Sequence, residues 1–95
     1  MSEPGTIEKT RTSGTDAGQA FVTRIVVLND DHNTFEGVAA ALARVLPGVA
    51  YEDGLQFATT IHLQGSAVVW TGPREIAELY WEQLKSAQLT MAPLA

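Results

Sequence analysis

The chain of 95 residues contains no cysteine. Disulfide bonds, thiol catalysis and cysteine-based zinc sites are therefore excluded, and so is a secreted fold held together by disulfides. Hydrophobic runs are short, and the first residues carry no apolar signal-peptide core. We therefore expect a cytoplasmic protein that has no membrane partner.

Basic residues are also few. Six lysines and arginines stand against eleven aspartates and glutamates, which gives a formal net charge of −5. A basic surface that neutralises phosphates is not available, so we expect no nucleic-acid partner. The acidic balance suits a cationic partner or simple solubility. With 45% hydrophobic and 18% charged residues, the composition is typical of a single globular domain.

Residues 1–20 differ in composition from the rest of the chain. They are rich in glycine, serine, threonine and charged residues, and such a segment buries too little apolar surface to offset the entropy of ordering it. We predict a flexible N-terminal tail here, which is either a functional arm or merely solubilising. The folded domain is predicted over residues 21–95.

From residue 21 onward the hydrophobic pattern predicts strands and helices. Apolar and β-branched residues predict strands over residues 21–28, 66–70 and 89–91. Apolar residues at helical spacing predict helices over residues 34–46 and 51–63, and a third that begins at Pro73. Asn33 suits the first N-cap because Glu36 completes a capping box. The predicted fold is α+β, ordered β-α-α-β-α-β, with a small three-stranded antiparallel sheet covered by three helices.

The polar turn Asn29-Asp30-Asp31 joins the first strand to the first helix. Such residues are common in turns and helix caps, where their role is structural. Two adjacent carboxylates also repel each other, and a bound cation relieves that repulsion. An ammonium group that carries a hydrophobic substituent is therefore a candidate ligand, and a protein N-terminus is one such group.

His62 lies late in the second predicted helix, on the same side as Ala58 and Ile61. It is either a packing residue near the helix end or a neutral acceptor for an amine. No known metal-ligand spacing is present, so we expect no metal. The sequence offers no nucleophile, phosphate loop or cofactor motif, so we expect neither an enzyme nor a cofactor, and an acid–base enzyme is the weakest alternative.

Apolar residues of the first two helices are candidates for the lining of a pocket beside the turn. They are Phe35, Val38, Ala58 and Ile61. An ordinary helix–helix core explains the same spacing. Ala58 is the informative member, because its small side chain leaves room either for a ligand or for a closer approach of the two helices.

These features together resemble the ClpS family, small adaptors that deliver N-degron substrates to the AAA+ unfoldase of the Clp protease. The resemblance covers about residues 21–94. It rests on the strand leading into Asn29-Asp30-Asp31, the following helix, and the runs IHLQGSA (61–67) and EIAE (75–78). It implies a non-enzymatic adaptor that captures substrates with a free α-amine and a bulky hydrophobic first residue. The implied partners are N-terminal segments of substrate proteins and a ClpA- or ClpC-like unfoldase.

The resemblance also implies roles for single residues. Asn29, Asp30 and His62 hold the α-amine, with Asp31 beside them, and the first side chain of the substrate enters the pocket of the four apolar candidates. Glu75 matches a position that contacts the unfoldase. Residues 1–20 resemble the disordered N-terminal extension of the family.

Several positions depart from the family pattern. Asn33 stands where threonine is usual. Phe35 replaces a methionine that acts as a gate against β-branched first residues, and Ala58 replaces what is often methionine. Tyr80 replaces a basic residue near Glu75, so ligand capture is better supported than docking on a standard unfoldase.

An alternative function keeps the fold without the ligand. The chain would then be a ClpS-like interaction domain with a degenerate amine pocket, which binds a protein partner through Trp70, Trp81 and Tyr80.

Overall fold

The computed structural model describes residues 22–94. Its elements are β1 (Val22–Leu28), α1 (Phe35–Val45), α2 (Tyr51–Gln64), β2 (Ser66–Pro73) and α3 (Arg74–Ser86). The α+β class and the three predicted helices are confirmed. The predicted tail, residues 1–20, lies outside the described residues. None of the helices in residues 22–94 is long and apolar enough to cross a membrane.

The regular sheet of the described chain has two antiparallel strands, β1 and β2, so the prediction of three strands is wrong in that respect. The segment predicted as the third strand does lie against β1, but it forms a single bridge between Val27 and Met91. Two backbone hydrogen bonds of 2.8 and 3.0 Å flank this bridge. Pro93 has no N–H to donate, so regular pairing stops one residue before it.

The core lies on one face of the sheet, where the helices cover it. Alternate residues of β1 are buried, as expected for a strand that packs on one side. The largest fully buried side chains are Ile25, Leu42, Leu84 and Val27. Each stabilises the fold by about 1.5–3 kcal/mol relative to an exposed position. The polar turn at the end of β1 is therefore attached to the most buried strand of the molecule.

Helices α1 and α2 approach each other closely because of Gly54. A Cβ atom at this position would lie 2.7 Å from the backbone of Ala39 in α1. Any larger residue therefore forces the two helix backbones apart. This contact fixes the separation of the two helices that carry the predicted pocket residues.

A bulge in β2 places two consecutive side chains against the core. Ile25 pairs with Trp70 and Val26 with Val68, so Val69 is the extra residue. Val69 is buried, and the Trp70 ring packs edge-on to Tyr80 with centroids 5.1 Å apart. Trp70 is thus committed to internal packing, which does not favour its proposed use as a partner contact.

The N-cap of helix α1 lies one residue later than predicted. The N-cap is Thr34, whose Oγ1 accepts a hydrogen bond of 2.9 Å from the backbone N–H of Gly37. The prediction of Asn33 as N-cap was wrong, because the Asn33 side chain donates to Asp30 instead. That contact belongs to the site described next.

Candidate functional site

A cavity lies where the end of β1 meets α1, α2 and the segment after α3. Its volume is about 60 Å³. It is lined by residues of all four segments, namely Val27, Leu28, Asn29, Asp30, Asn33, Thr34, Phe35, Val38, Ala58, Ile61, His62, Leu89 and Thr90. Every residue predicted for the amine site and the pocket is therefore brought together here, with the exception of Asp31. Glu75 lies elsewhere, exposed in the first turn of α3.

The floor of the cavity is continuous with the hydrophobic core. Val38, Ala58, Ile61 and Leu89 are all buried and belong to the core cluster. The two interpretations of these apolar positions, as the lining of a pocket and as a helix–helix core, are thus compatible, because the same side chains pack in the core and line the cavity. Leu89 was not among the predicted pocket residues.

The rim of the cavity is aromatic and exposed. The Phe35 side chain keeps 41% of its surface exposed, and its ring meets the His62 ring with centroids 5.3 Å apart at 61°. This edge-on contact is a favourable arrangement for two aromatic rings. It brings His62, from the end of α2, over the mouth of the cavity.

Asp30 is the most strongly bonded polar side chain of the site. Its Oδ1 accepts hydrogen bonds from the backbone N–H groups of His32 (3.0 Å) and Asn33 (2.8 Å). Its Oδ2 accepts from Asn33 Nδ2 (2.7 Å) and from Thr90 Oγ1 (2.7 Å). A carboxylate offers about four lone-pair sites, and four donors occupy them here.

These hydrogen bonds set the ionisation of Asp30. Desolvation by burial raises its pKa, but the hydrogen bonds from Thr90, Asn33 and His32 outweigh it, and the pKa lies well below the ordinary aspartate range. Hydrogen bonds to a carboxylate favour its charged form. Asp30 is therefore a fixed negative charge at the mouth of the cavity.

Asn29 is held by its backbone and leaves its side chain open. Its N–H donates to the carbonyl of Gly65 at 2.9 Å. Gly65 ends α2 in the left-handed conformation with φ 91°, which glycine adopts without steric penalty. This bond ties Asn29 to the helix end that carries His62. The side chains of Asn29 and His62 form no hydrogen bond to any residue within 22–94.

The charge of the site favours a cation. Its lining contains Asp30 and no lysine or arginine. Asp31 is exposed and lies outside the lining, where its charge still contributes to the local potential. Among the described residues there is no group of three side chains that could hold a metal ion.

Six lining residues were not predicted for the site. Val27 and Leu28 belong to the predicted first strand and Thr34 to the predicted first helix, and the other three are Asn33, Leu89 and Thr90. Asn33 had been assigned to the helix cap, and Leu89 and Thr90 lie in the segment predicted as a third strand. That prediction made residues 89–91 part of the sheet without assigning the strand beside which they lie. Thr90 is 60 positions from Asp30, so no local pattern connects them.

The arrangement can bind a small ligand with two parts. The side-chain oxygen Oδ1 of Asn29 and an unprotonated ring nitrogen of His62 can accept hydrogen bonds, while Asp30 supplies a negative charge. The apolar floor can take a hydrophobic group.

Comparisons with known proteins agree on one family. The family model described as ATP-dependent Clp protease adaptor protein ClpS matches residues 21–95. The adapter protein ClpS of Thermosynechococcus vestitus is 49% identical over 71 residues, which cover 75% of this chain and 76% of that protein. For the ClpS of a Nostoc species the identity is 48%, with 75% and 73% covered.

A solved structure shows the same fold. It is Agrobacterium tumefaciens ClpS2 bound to L-phenylalaninamide, with a TM-score of 0.67 and 30% sequence identity. The match covers 75% of this chain and 92% of that one.

Proposed function

Because the chain belongs to the ClpS family of Clp protease adaptors, which are not enzymes, we propose that it is an N-degron-binding adaptor. It captures substrates that have a free α-amine and a bulky hydrophobic first residue. It then delivers them to an AAA+ Clp unfoldase.

One observation carries this proposal: a fixed carboxylate and two open acceptors surround the mouth of a cavity with an apolar floor. The protonated α-amine of a substrate donates to Asn29 and to neutral His62, and the negative charge of Asp30 stabilises it. Hydrogen bonds to a charged group contribute about 1.5–3 kcal/mol each. L-Phenylalaninamide, the ligand of the Agrobacterium relative, combines a free amine with an aromatic side chain, which is the chemistry proposed here.

The first side chain of the substrate enters the cavity between Phe35, Val38, Ala58 and Ile61. The volume of the cavity, about 60 Å³, is smaller than the roughly 150 Å³ of a protein cavity that binds benzene. A leucine or phenylalanine side chain therefore enters only if a wall moves. Phe35 is the wall that can move, because it is partly exposed while the other three residues are buried. Full burial of such a side chain contributes about 1.5–3 kcal/mol.

The test compares peptides that differ only at the first residue and its amine. We expect free Phe- and Leu-leading peptides to bind, the acetylated forms to lose at least tenfold in affinity, and an Ala-leading peptide to bind weakly. Acetylation removes the positive charge but keeps the side chain, so the comparison isolates the amine. Equal affinity of the free and acetylated Phe-leading peptides, measured by fluorescence anisotropy or calorimetry, would contradict the proposal.

The proposed unfoldase is ClpA- or ClpC-like, and Glu75 is the proposed contact. Glu75 is exposed at the start of α3, next to Ile76, which keeps 41% of its surface exposed. Because the protease is ATP-dependent, we place the activity in the cytoplasm. Glu75→Ala should weaken binding to such an unfoldase and leave peptide affinity unchanged.

The matched control for this contact is Glu52→Ala. Glu52 is also an exposed glutamate in the first turn of a helix, and it carries the same charge. If both variants weaken unfoldase binding equally, the effect is one of overall charge, and Glu75 is not a specific contact.

A further inference from the structure

The segment that follows α3 is folded back onto the polar turn. Helix α3 ends in a left-handed turn at Gln88, with φ 77°. The N–H of Gln88 donates to the Lys85 carbonyl and that of Leu89 to the Leu84 carbonyl, a hydrogen-bond pattern that closes a helix end. Non-glycine residues rarely adopt this conformation. In this conformation the Gln88 carbonyl accepts a hydrogen bond of 2.9 Å from Asn33 Nδ2.

Two side chains connect this segment to Asp30. Asn33 Nδ2 donates both to the Gln88 carbonyl and to Asp30 Oδ2, so one amide group bridges them. Thr90 Oγ1 donates to the same oxygen of Asp30 at 2.7 Å. Both contacts to Asp30 are partly shielded from water. The turn is thereby fastened to a part of the chain more than fifty positions away.

Building on the proposed function, we propose that Asn33 and Thr90 are positioning residues of the amine site. They hold the Asp30 carboxylate in one orientation at the mouth of the cavity. Asp30 then acts on the substrate amine through its charge, while Asn29 and His62 make the direct hydrogen bonds.

The different roles of Asp30 and of the pair Asn29 and His62 follow from which acceptor atoms are already hydrogen-bonded within the protein. The four internal donors use the lone-pair sites of the Asp30 carboxylate, so a direct bond to the ammonium would require one of them to leave. Asn29 and His62 have no such competitor among the described residues. A charge fixed in place needs no reorganisation when the ligand arrives.

The titratable groups near Asp30 determine how a measured change in its pKa is interpreted. The other titratable groups near it are Asp31 and His32 in the same turn, and His62 from α2. The segment after α3 contributes Gln88, Leu89 and Thr90, none of which titrates. A substitution at Thr90 therefore changes the hydrogen bonding of Asp30 without adding or removing a charge.

The experiment uses the full chain and three variants. Thr90→Val removes the hydroxyl and keeps the shape, Thr90→Ser restores the hydroxyl, and Thr59→Val is the matched control. The Thr59 hydroxyl bonds to the Leu55 carbonyl on the exposed side of α2, outside the cavity lining. For each protein we would measure the affinity for free and acetylated Phe-leading peptides. Separately, the pKa of Asp30 would be measured by NMR of its carboxyl carbon without peptide.

We expect Thr90→Val to weaken binding of the free peptide about 2- to 10-fold, the range for one lost hydrogen bond. The pKa of Asp30 should rise in the same variant, because a donor to its charged form is gone. Thr90→Ser should recover most of both effects, and Thr59→Val should show neither. Thermal unfolding of each variant confirms that it is folded.

Two results would overturn the inference. One is an unchanged Asp30 pKa in Thr90→Val. The other is equal loss of affinity in Thr90→Val and Thr90→Ser, which would make Thr90 a packing residue only. Failure of the proposed function is recognised separately, because the parent protein itself would then bind free and acetylated peptides alike.

Discussion

The two ends of the cavity are built in opposite ways. At the polar turn, Asp30 accepts four hydrogen bonds from the surrounding chain and has no freedom to reorient. At the aromatic rim, Phe35 is exposed and its ring packs against the His62 ring. The end assigned to the charged amine is rigid, and the end assigned to the variable side chain can adjust.

This difference matches the two parts of the proposed ligand. Every substrate presents the same ammonium group, so a negative charge fixed in place serves all of them. First side chains differ in shape, and an exposed rim can adapt to several of them at small cost. The substitutions below test the contrast and are taken from the largest expected effect to the smallest.

Removal of the open acceptors should have the largest effect. We expect Asn29→Ala and His62→Ala each to weaken binding of a free Phe-leading peptide by about 10- to 100-fold, because each loses a hydrogen bond to a charged group. Stability should change by no more than about 0.5 kcal/mol, since both side chains are exposed. His32→Ala is the matched control, because His32 is exposed and outside the lining. Calorimetry that gave the same affinity for His32→Ala and His62→Ala would remove His62 from the site.

The rigid end is tested by comparing two adjacent carboxylates. Asp30→Asn should lower the free energy of unfolding by about 1–3 kcal/mol, because four donors, three of them partly buried, lose their charged acceptor. The exposed Asp31→Asn should change it by less than about 0.5 kcal/mol. Peptide affinity should also fall further in Asp30→Asn than in Asp31→Asn. The opposite order in either measurement would show that Asp31 is the carboxylate of the site.

The sign of the pH dependence follows from the lowered pKa of Asp30. A carboxyl group whose pKa is lower in the folded state stabilises the fold when the pH is above its pKa in the unfolded state, about 3.9 for aspartate. This contribution is lost as the pH falls towards the pKa of the folded state. The free energy of unfolding of the parent should therefore exceed that of Asp30→Asn by the largest amount at pH 7, and this difference should become smaller as the pH is lowered. Urea unfolding at several pH values measures it.

The adjustable rim should show the smallest effect. Phe35→Ala is expected to change affinity for a Phe-leading peptide by less than about fivefold, since it removes one rim contact and opens space. Affinity for a Val-leading peptide should improve, because the rim no longer restricts a branched side chain. Tyr51→Ala is the control, as Tyr51 is similarly exposed at 43% and lies outside the lining. Identical selectivity of both variants would mean that Phe35 is not part of the pocket.

Much of the site was predictable because its parts lie in short local patterns. The turn at Asn29, the helix stripe with Val38, and the spacing of Ala58, Ile61 and His62 all follow from sequence periods and from the family resemblance. The elements that carry them were placed correctly to within a few residues. Local patterns suffice here because each residue lies at a defined place within one element.

What escaped prediction depends on contacts between distant parts of the chain. Asn33 looked like a helix cap, and only the folded chain shows that Gln88 and Asp30 take its amide instead. Residues 89–91 have the apolar pattern of a strand, yet their pairing with β1 is limited to a single bridge and the two backbone hydrogen bonds that flank it. The pattern shows which face is apolar, and it does not show how far pairing extends.

The backbone bond between Asn29 and Gly65 joins the two elements that carry the acceptors, because Asn29 lies on the turn and His62 near the end of α2. The turn and the helix end therefore stay together when a ligand arrives, and only side-chain rotation can change the distance between the two acceptors. The count of N–H groups on the incoming nitrogen then matters. A primary amine can reach both acceptors, whereas a chain that starts with proline or a methylated residue brings fewer hydrogens and added bulk to the same narrow opening.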